Sequence, residues 1–124
     1  MKITYRGWVG HFILADRCLF RLNTLIEHND IKVVVSTVGN LHSKDGAYEV
    51  IGVDRHYETA CFRAMDDDQY LEIDAQKQLD YFDGFSIDDY KDRTDYDNIA
   101  NEMHERIVSQ VVEDIKTGKL KGGE

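Results

Sequence analysis

The sequence predicts an α+β fold, in which an antiparallel β-sheet of four to five strands packs against one long C-terminal helix. Residues 19–38 first alternate apolar and polar side chains and then become rich in β-branched residues, which is typical of a β-hairpin. From residue 94 onward, apolar side chains recur at helical spacing instead. With 124 residues and no visible linker or repeat, the chain is expected to form a single domain over residues 1–124.

The strands are assigned from alternation, β-branched content and the turn residues between them. Five segments are predicted, namely residues 19–27, 31–38, 47–53, 57–65 and, as a short fifth strand, 70–73. Residues 74–93 are ambiguous, because Tyr81-Phe82-Asp83-Gly84-Phe85 places three aromatic rings around a glycine. That segment is either a loop that folds over a site or a satellite of the core.

The C-terminal helix is predicted from an apolar stripe of Ile99, Met103, Ile107, Val111 and Ile115. Thr94 and Asp97 resemble a capping box at its start, and Gly118 is a natural stop. About 20 residues give a helix of about 30 Å, which is long for so small a sheet to cover. We therefore expect two copies of the helix to pack together in a dimer.

Charge is spread unevenly along the chain, whose formal net charge is −9. Residues 1–63 contain eight Lys/Arg and seven Asp/Glu, whereas residues 64–124 contain seven and seventeen. Such an acidic surface repels DNA and RNA, because polymer binding depends on neutralised phosphates. A small phosphorylated ligand needs only a local group of arginines, so a metabolite or signal molecule is the favoured partner. No membrane-spanning or signal segment is expected, and a reduced intracellular setting is the default for two cysteines.

The first candidate ligand-binding group lies near the amino end and consists of Arg6, His11, Arg17, Arg21 and Asn23. Arginine forks hold phosphates through paired hydrogen bonds, which makes Arg17 and Arg21 the first choices for anion contacts. The alternative is an ordinary strand pair whose arginines face solvent.

The second group lies on the predicted helix and consists of Asn101, His104 and Arg106, with Asn98 one turn earlier. These side chains form either a row of donors and acceptors that faces a ligand or partner, or a solvated face. Phe82 is added as a ring that could stack on a base.

Catalytic and metal chemistry have little support in the sequence. The histidines form no zinc pattern, and no nucleophile elbow or P-loop is present, so no metal, cofactor or catalytic residue is predicted. Cys18 follows Arg17 and is either a thiol of lowered pKa or a small core residue.

Several motifs together resemble one family of small phage and prophage proteins, which includes the first-described anti-Thoeris sponge. They are Tyr5-Arg6-Gly7-Trp8, His11-Phe12, Ala15-Asp16-Arg17-Cys18, Phe20-Arg21-Leu22-Asn23-Thr24-Leu25, Val35-Ser36-Thr37-Val38-Gly39 and Asn101-Glu102-Met103-His104-Glu105. The likeness runs along the whole chain; it is specific from Tyr5 to Leu25, is supported by the helix segment, and is only general over residues 40–95.

The resemblance implies a non-enzymatic inhibitor of bacterial immunity that acts in the host cytoplasm. Such a protein sequesters the cyclic ADP-ribose isomer made by a TIR enzyme, and traps cyclic oligonucleotides at separate sites. It also implies a hexamer built from dimers whose long helices pack together. Two alternatives stay open from the residues themselves. One is an acidic protein that blocks a host protein by direct contact, and the other is an enzyme that degrades a cyclic nucleotide.

Overall fold

The computed structural model describes residues 1–6, 11, 17–64 and 73–122. Its described part contains five β-strands and one α-helix: β1 Lys2–Arg6, β2 Phe20–His28, β3 Ile31–Gly39, β4 Tyr57–Ala64, β5 Ile73–Phe85 and α1 Tyr96–Lys116. The strands form one antiparallel sheet in the order β1-β2-β3-β4-β5. The predicted fold class, an antiparallel sheet with a long C-terminal helix, is confirmed.

One face of the sheet packs against α1, and we call it the helix face. Its core combines buried side chains from both layers: Ile26, Val33, Val35, Cys61, Val108, Val111 and Ile115. Burying each large aliphatic side chain contributes about 1.5–3 kcal/mol, so this contact holds the helix on the sheet. Burial also raises the pKa of the Cys61 thiol to about 12. Cys61 is therefore an unreactive core residue, and Cys18 is likewise buried, against Val38 and Ile51.

The opposite side of the sheet, the second face, is defined by two rows of paired residues. One row runs Arg21, Val38, Glu58 and Gly84 across β2 to β5, and the next runs Asn23, Ser36, Ala60 and Phe82. Directly paired residues of antiparallel strands project to the same side of a sheet. The second face carries the buried polar side chains of Asn23, Ser36 and Glu58.

Helix α1 ends as the sequence predicts but does not begin as predicted. Gly118 takes φ 82°, and its N–H bonds the carbonyl of Ile115 just after the last turn. At the start, Asp95 is the N-cap and makes no side-chain cap hydrogen bond, so the predicted capping box is wrong. Asp97 instead accepts a hydrogen bond from the buried Tyr57 hydroxyl at 2.7 Å. Among the described residues, no helix is both long and apolar enough to cross a membrane.

Two strand predictions differ from the structure. Residues 47–53 are not a strand, because Gly52 at φ 122° and Asp54 at φ 56° turn the chain, and only a single bridge joins His42 to Tyr48. The fifth strand is much longer than expected: it begins at Ile73 and takes in most of the ambiguous segment, whereas residues 70–72 lie outside the described residues. Strand β1 was not predicted, because five residues give too little alternation to recognise.

Tyr81 ties β5 to the end of α1. Its hydroxyl donates to the carboxylate of the buried Asp114 at 2.5 Å, and burial together with that carboxylate raises the pKa of Tyr81. Asp114 also accepts a hydrogen bond from Gln110 at 2.9 Å. The pair fixes the helix against the edge strand.

Replacing Tyr81 with phenylalanine should lower the free energy of unfolding by about 1 kcal/mol, because a buried carboxylate loses one donor. Urea denaturation at pH 7.5 measures the change. Tyr96→Phe is the matched control, since no described residue receives a hydrogen bond from the Tyr96 hydroxyl. Equal losses in both variants would show that the Asp114 contact contributes nothing of its own.

Candidate functional site

The structure brings several of the predicted ligand-binding residues to the second face. Arg21 is exposed in the first row, and Phe82 is 46% exposed in the second. The His11 side chain lies over the same rows, where it contacts Ser36 and Glu58. Arg6 ends β1, opposite Asn23 of the second row. The rest of the opening motif, residues 7–10 and 12–16, lies outside the described residues.

A chain of hydrogen bonds runs through this face from Ser36 to Arg55. The Ser36 hydroxyl lies 2.9 Å from His11 Nδ1, and His11 Nε2 lies 2.9 Å from Glu58 Oε1. The second carboxylate oxygen, Glu58 Oε2, accepts from Arg55 Nε at 2.6 Å. Burial acts to raise the pKa of Glu58, but the hydrogen bonds and charges of His11 and Arg55 outweigh it and hold the pKa below its usual value. Glu58 is thus a buried, ionised carboxylate.

Arg55 reaches from the loop before β4 to the exposed ring of Phe82. Its guanidinium carbon lies 4.7 Å from the ring centroid, a cation–π contact. Its Nη1 makes a long contact of 3.4 Å with the carbonyl of Val53, and no described residue accepts from Nη2. The side chain is 29% exposed. The end of the fork therefore remains open to a ligand.

Two glycines make room for the Arg55 side chain. A Cβ on Gly84 would lie 2.7 Å from Arg55 Cδ, closer than real Cβ atoms approach other atoms. A Cβ on Gly52 would lie 3.0 Å from Arg55 Nη2, and the φ of 122° there already favours glycine. Gly52 and Gly84 thus leave a channel that the Arg55 side chain occupies. An arginine that extends into solvent needs no such space.

Sequence reasoning missed Arg55. It lies far from the amino-terminal arginines, in a segment that was interpreted as the gap between two strands. The signal that could have identified it is the spacing of Gly52, Arg55 and Glu58. The meaning of that spacing becomes clear only in the structure, where the loop turns back over β4 and brings the three residues together.

A pocket of about 320 Å³ opens beside the Arg55–Phe82 pair. Its lining includes Val53, Asp54, Asp83, Gly84, Ser86 and Asp89. The volume lies within the range of about 300–1,000 Å³ that small-molecule sites occupy. The pocket therefore combines one arginine, the exposed ring of Phe82, the apolar side chain of Val53 and the carboxylates of Asp54 and Asp89.

His104 does not share this site. It lies at 0% exposure in the core of the helix face, with Nε2 at 2.6 Å from Thr24 and Nδ1 at 2.7 Å from Thr37. Thr37 in turn pairs with Thr59 at 2.6 Å. The row of Asn98, Asn101 and His104 that the sequence suggested is therefore split, and His104 offers no surface to a ligand. Helical spacing alone suggests that His104 lies on the outer side of α1, but the buried face of the helix includes it.

Asn101 and Arg106 lie on the outer side of α1. They line an open groove of about 690 Å³ with Glu102, Glu105 and Ser109. Arg106 also lies 3.7 Å from Asp83, which pairs with Thr59 and therefore projects to the helix face. Arg17 is exposed next to the buried Cys18.

No family model, curated protein or solved structure matches this chain. Its function must therefore be inferred from its own residues. In the described part of the chain, no group of three His, Cys, Asp or Glu side chains is placed to hold a metal ion. The Arg55–Phe82 pocket, which we name the arginine pocket, is the strongest candidate site.

Proposed function

We propose that this protein binds and sequesters a small nucleotide signal, a cyclic ADP-ribose isomer, in the arginine pocket without cleaving it. The observation that carries the proposal is the placement of Arg55 over an exposed aromatic ring, in a channel left by two glycines. The resemblance to the anti-Thoeris sponges supports the same ligand and the same mode of action.

Each part of the proposed ligand has a partner in the pocket. The open Nη end of Arg55 suits a pyrophosphate, because two parallel N–H groups match two phosphate oxygens. The exposed surface of Phe82, with Val53 beside it, suits the adenine. The carboxylates of Asp54 and Asp89 suit ribose hydroxyls, which donate hydrogen bonds to acceptors that repel a bare phosphate. The mixed charges favour a nucleotide over an inorganic anion.

Sequestration fits this face better than hydrolysis. The Ser36–His11–Glu58 chain resembles a hydrolytic triad in its residue types. However, Ser36 lies in the middle of β3 with 0% exposure, so its hydroxyl is closed to an attacked atom. Arg6 and Arg21 on the second face and Arg106 on α1 remain proposed further anion contacts. Arg21 lies two strands from Glu58, about 10 Å away at ordinary strand spacing.

We also propose the assembly and setting that the resemblance implies. The outer groove of α1, with Asn101 and Arg106, is the surface on which a second copy would pack in a dimer. Three dimers would build the hexamer, which would hold cyclic oligonucleotides at sites separate from the arginine pocket. The protein would act in the cytoplasm of an infected bacterium.

The test is to incubate purified protein with the products of an activated TIR enzyme and to remove the protein by filtration. We expect the filtrate to lose its ability to activate the NAD-degrading effector. Heating the retained protein should release intact, active ligand. Recovery of a cleaved product would replace sequestration with catalysis, and undiminished activity in the filtrate would favour direct contact with a host protein.

A further inference from the structure

Glu58 is the feature of the second face that the proposed function leaves unexplained. Its side chain is only 10% exposed, and a buried ionised carboxylate costs several kcal/mol of solvation free energy. In a pocket meant for an anionic ligand, a negative charge also opposes binding. Because Glu58 costs both solvation free energy and ligand affinity, we expect it to have a role that offsets these losses.

The contacts of Glu58 indicate that role. One carboxylate oxygen takes the Nε–H of Arg55, and the other faces His11 Nε2. His11 is itself held by Ser36, whose hydroxyl lies at hydrogen-bond distance from Nδ1. The carboxylate is therefore fixed on both sides, and it engages Arg55 only through Nε. That leaves the two Nη groups together on the far side of the guanidinium.

We propose that Glu58, held by His11, is a positioning residue that locks the guanidinium of Arg55 over Phe82 and presents its Nη edge to a phosphate or pyrophosphate. An arginine without such a partner samples many rotamers and loses that freedom when a ligand binds. Fixing it beforehand lowers this entropic cost. Gly84 and Gly52 complete the lock, because both leave space for the Arg55 side chain.

Arg55 and Glu58 have different tasks in this proposal. Arg55 contacts the ligand, whereas Glu58 acts through Arg55 and touches no ligand atom. His11, which the sequence suggested as a ligand contact, instead helps to hold Glu58 in place. This part of the proposal rests on the proposed function, since it concerns the same pocket.

The first experiment measures the lock without any ligand. In ¹⁵N spectra of the free protein, the Arg55 Nε–H should give a resolved, slowly exchanging signal, because it is bonded to a buried carboxylate. Glu58→Gln should remove or sharply shift that signal, with the backbone spectrum of the other strands unchanged. Retention of the wild-type signal in Glu58→Gln would overturn the lock, whatever the ligand proves to be.

The second experiment asks whether Glu58 acts through Arg55. With the cyclic ADP-ribose isomer purified from a TIR reaction as the probe, Glu58→Gln should raise Kd about tenfold by calorimetry. In an Arg55→Ala background the same change should alter Kd by less than about twofold, because the residue it positions is gone. Equal effects in both backgrounds would show that Glu58 influences the ligand or the fold directly.

Gly84→Ala supplies an independent test of the channel. Its new Cβ collides with Arg55 Cδ, so we expect weaker binding when Arg55 is present and little change in the Arg55→Ala background. Thermal melts identify any loss of folding. A wild-type protein that binds no isomer while its Nε–H signal depends on Glu58 would refute the proposed function and leave the lock intact.

Discussion

Replacing Arg55 with alanine should weaken binding of the cyclic ADP-ribose isomer about 100-fold, or about 3 kcal/mol. The change removes the open Nη donors, the cation over Phe82 and the partner of Glu58. A charge-assisted hydrogen bond contributes about 1.5–3 kcal/mol, so the loss of a forked contact accounts for the size of the effect. Isothermal titration calorimetry with the purified isomer measures it.

Arg63→Ala is the matched control for that experiment. Arg63 belongs to β4, as Glu58 does, but it pairs with Val33 of the helix face. Its removal changes net charge equally and leaves the second face untouched, so Kd should stay within about twofold of wild type under low-salt conditions. If both variants bind equally weakly, the protein attracts its ligand by overall charge, and the arginine pocket is not the site.

Acidification should destabilise the protein through His104. Burial lowers the pKa of His104 from 6.5 to about 4. Above pH 6.5 the imidazole is neutral in both the folded and the unfolded chain, and the stability is fully present. Between pH 6.5 and 4 the unfolded chain takes up a proton that the folded chain refuses, so stability falls by up to about 3 kcal/mol. Below about pH 4 this residue causes no further loss.

Urea denaturation of wild type and His104→Gln across pH 4–8 isolates the contribution. Glutamine keeps a donor and an acceptor for Thr24 and Thr37 but cannot be protonated in this range. The variant should be less stable at pH 7.5 and should lose less stability on acidification. His28→Gln, at the partly exposed end of β2, should retain the wild-type profile. An unchanged acid slope in His104→Gln would place the acid sensitivity in the carboxylates instead.

The strands predicted best are those whose local pattern agrees with their tertiary environment. Strand β3 is rich in β-branched residues and buried along most of its length, so pattern and burial coincide. Residues 47–53 also contain β-branched side chains, but Gly52 turns the chain there; Ile51 is buried in one core cluster and Tyr48 packs against another. Strand β5 differs from its local pattern in the other direction, because it contains the charged residues Asp74, Lys77, Asp80 and Asp83 and still pairs with β4 at the edge of the sheet.

The candidate site was predicted in part. Arg21, Phe82 and His11 all lie on the second face. Arg55 was not among the predicted residues. The sequence alone does not distinguish a functional arginine from a surface one, because the difference lies in the groups that surround the guanidinium. For Arg55 those surroundings are a carboxylate three residues later and a glycine 29 residues later, joined only by the pairing of β4 with β5.

The sequence by itself determined the α+β class, the central hairpin, the long amphipathic helix and the residue types suited to a phosphorylated ligand. Those properties depend on alternation, helical period and side-chain chemistry, which are local. Only the tertiary structure decided that His104 is a core residue, that His11 contacts Glu58, and that Arg55 lies over the ring of Phe82. Those outcomes depend on strand register and helix rotation. Register decides which distant residues share a face of the sheet, and a rotation of one residue moves a side chain from solvent to core.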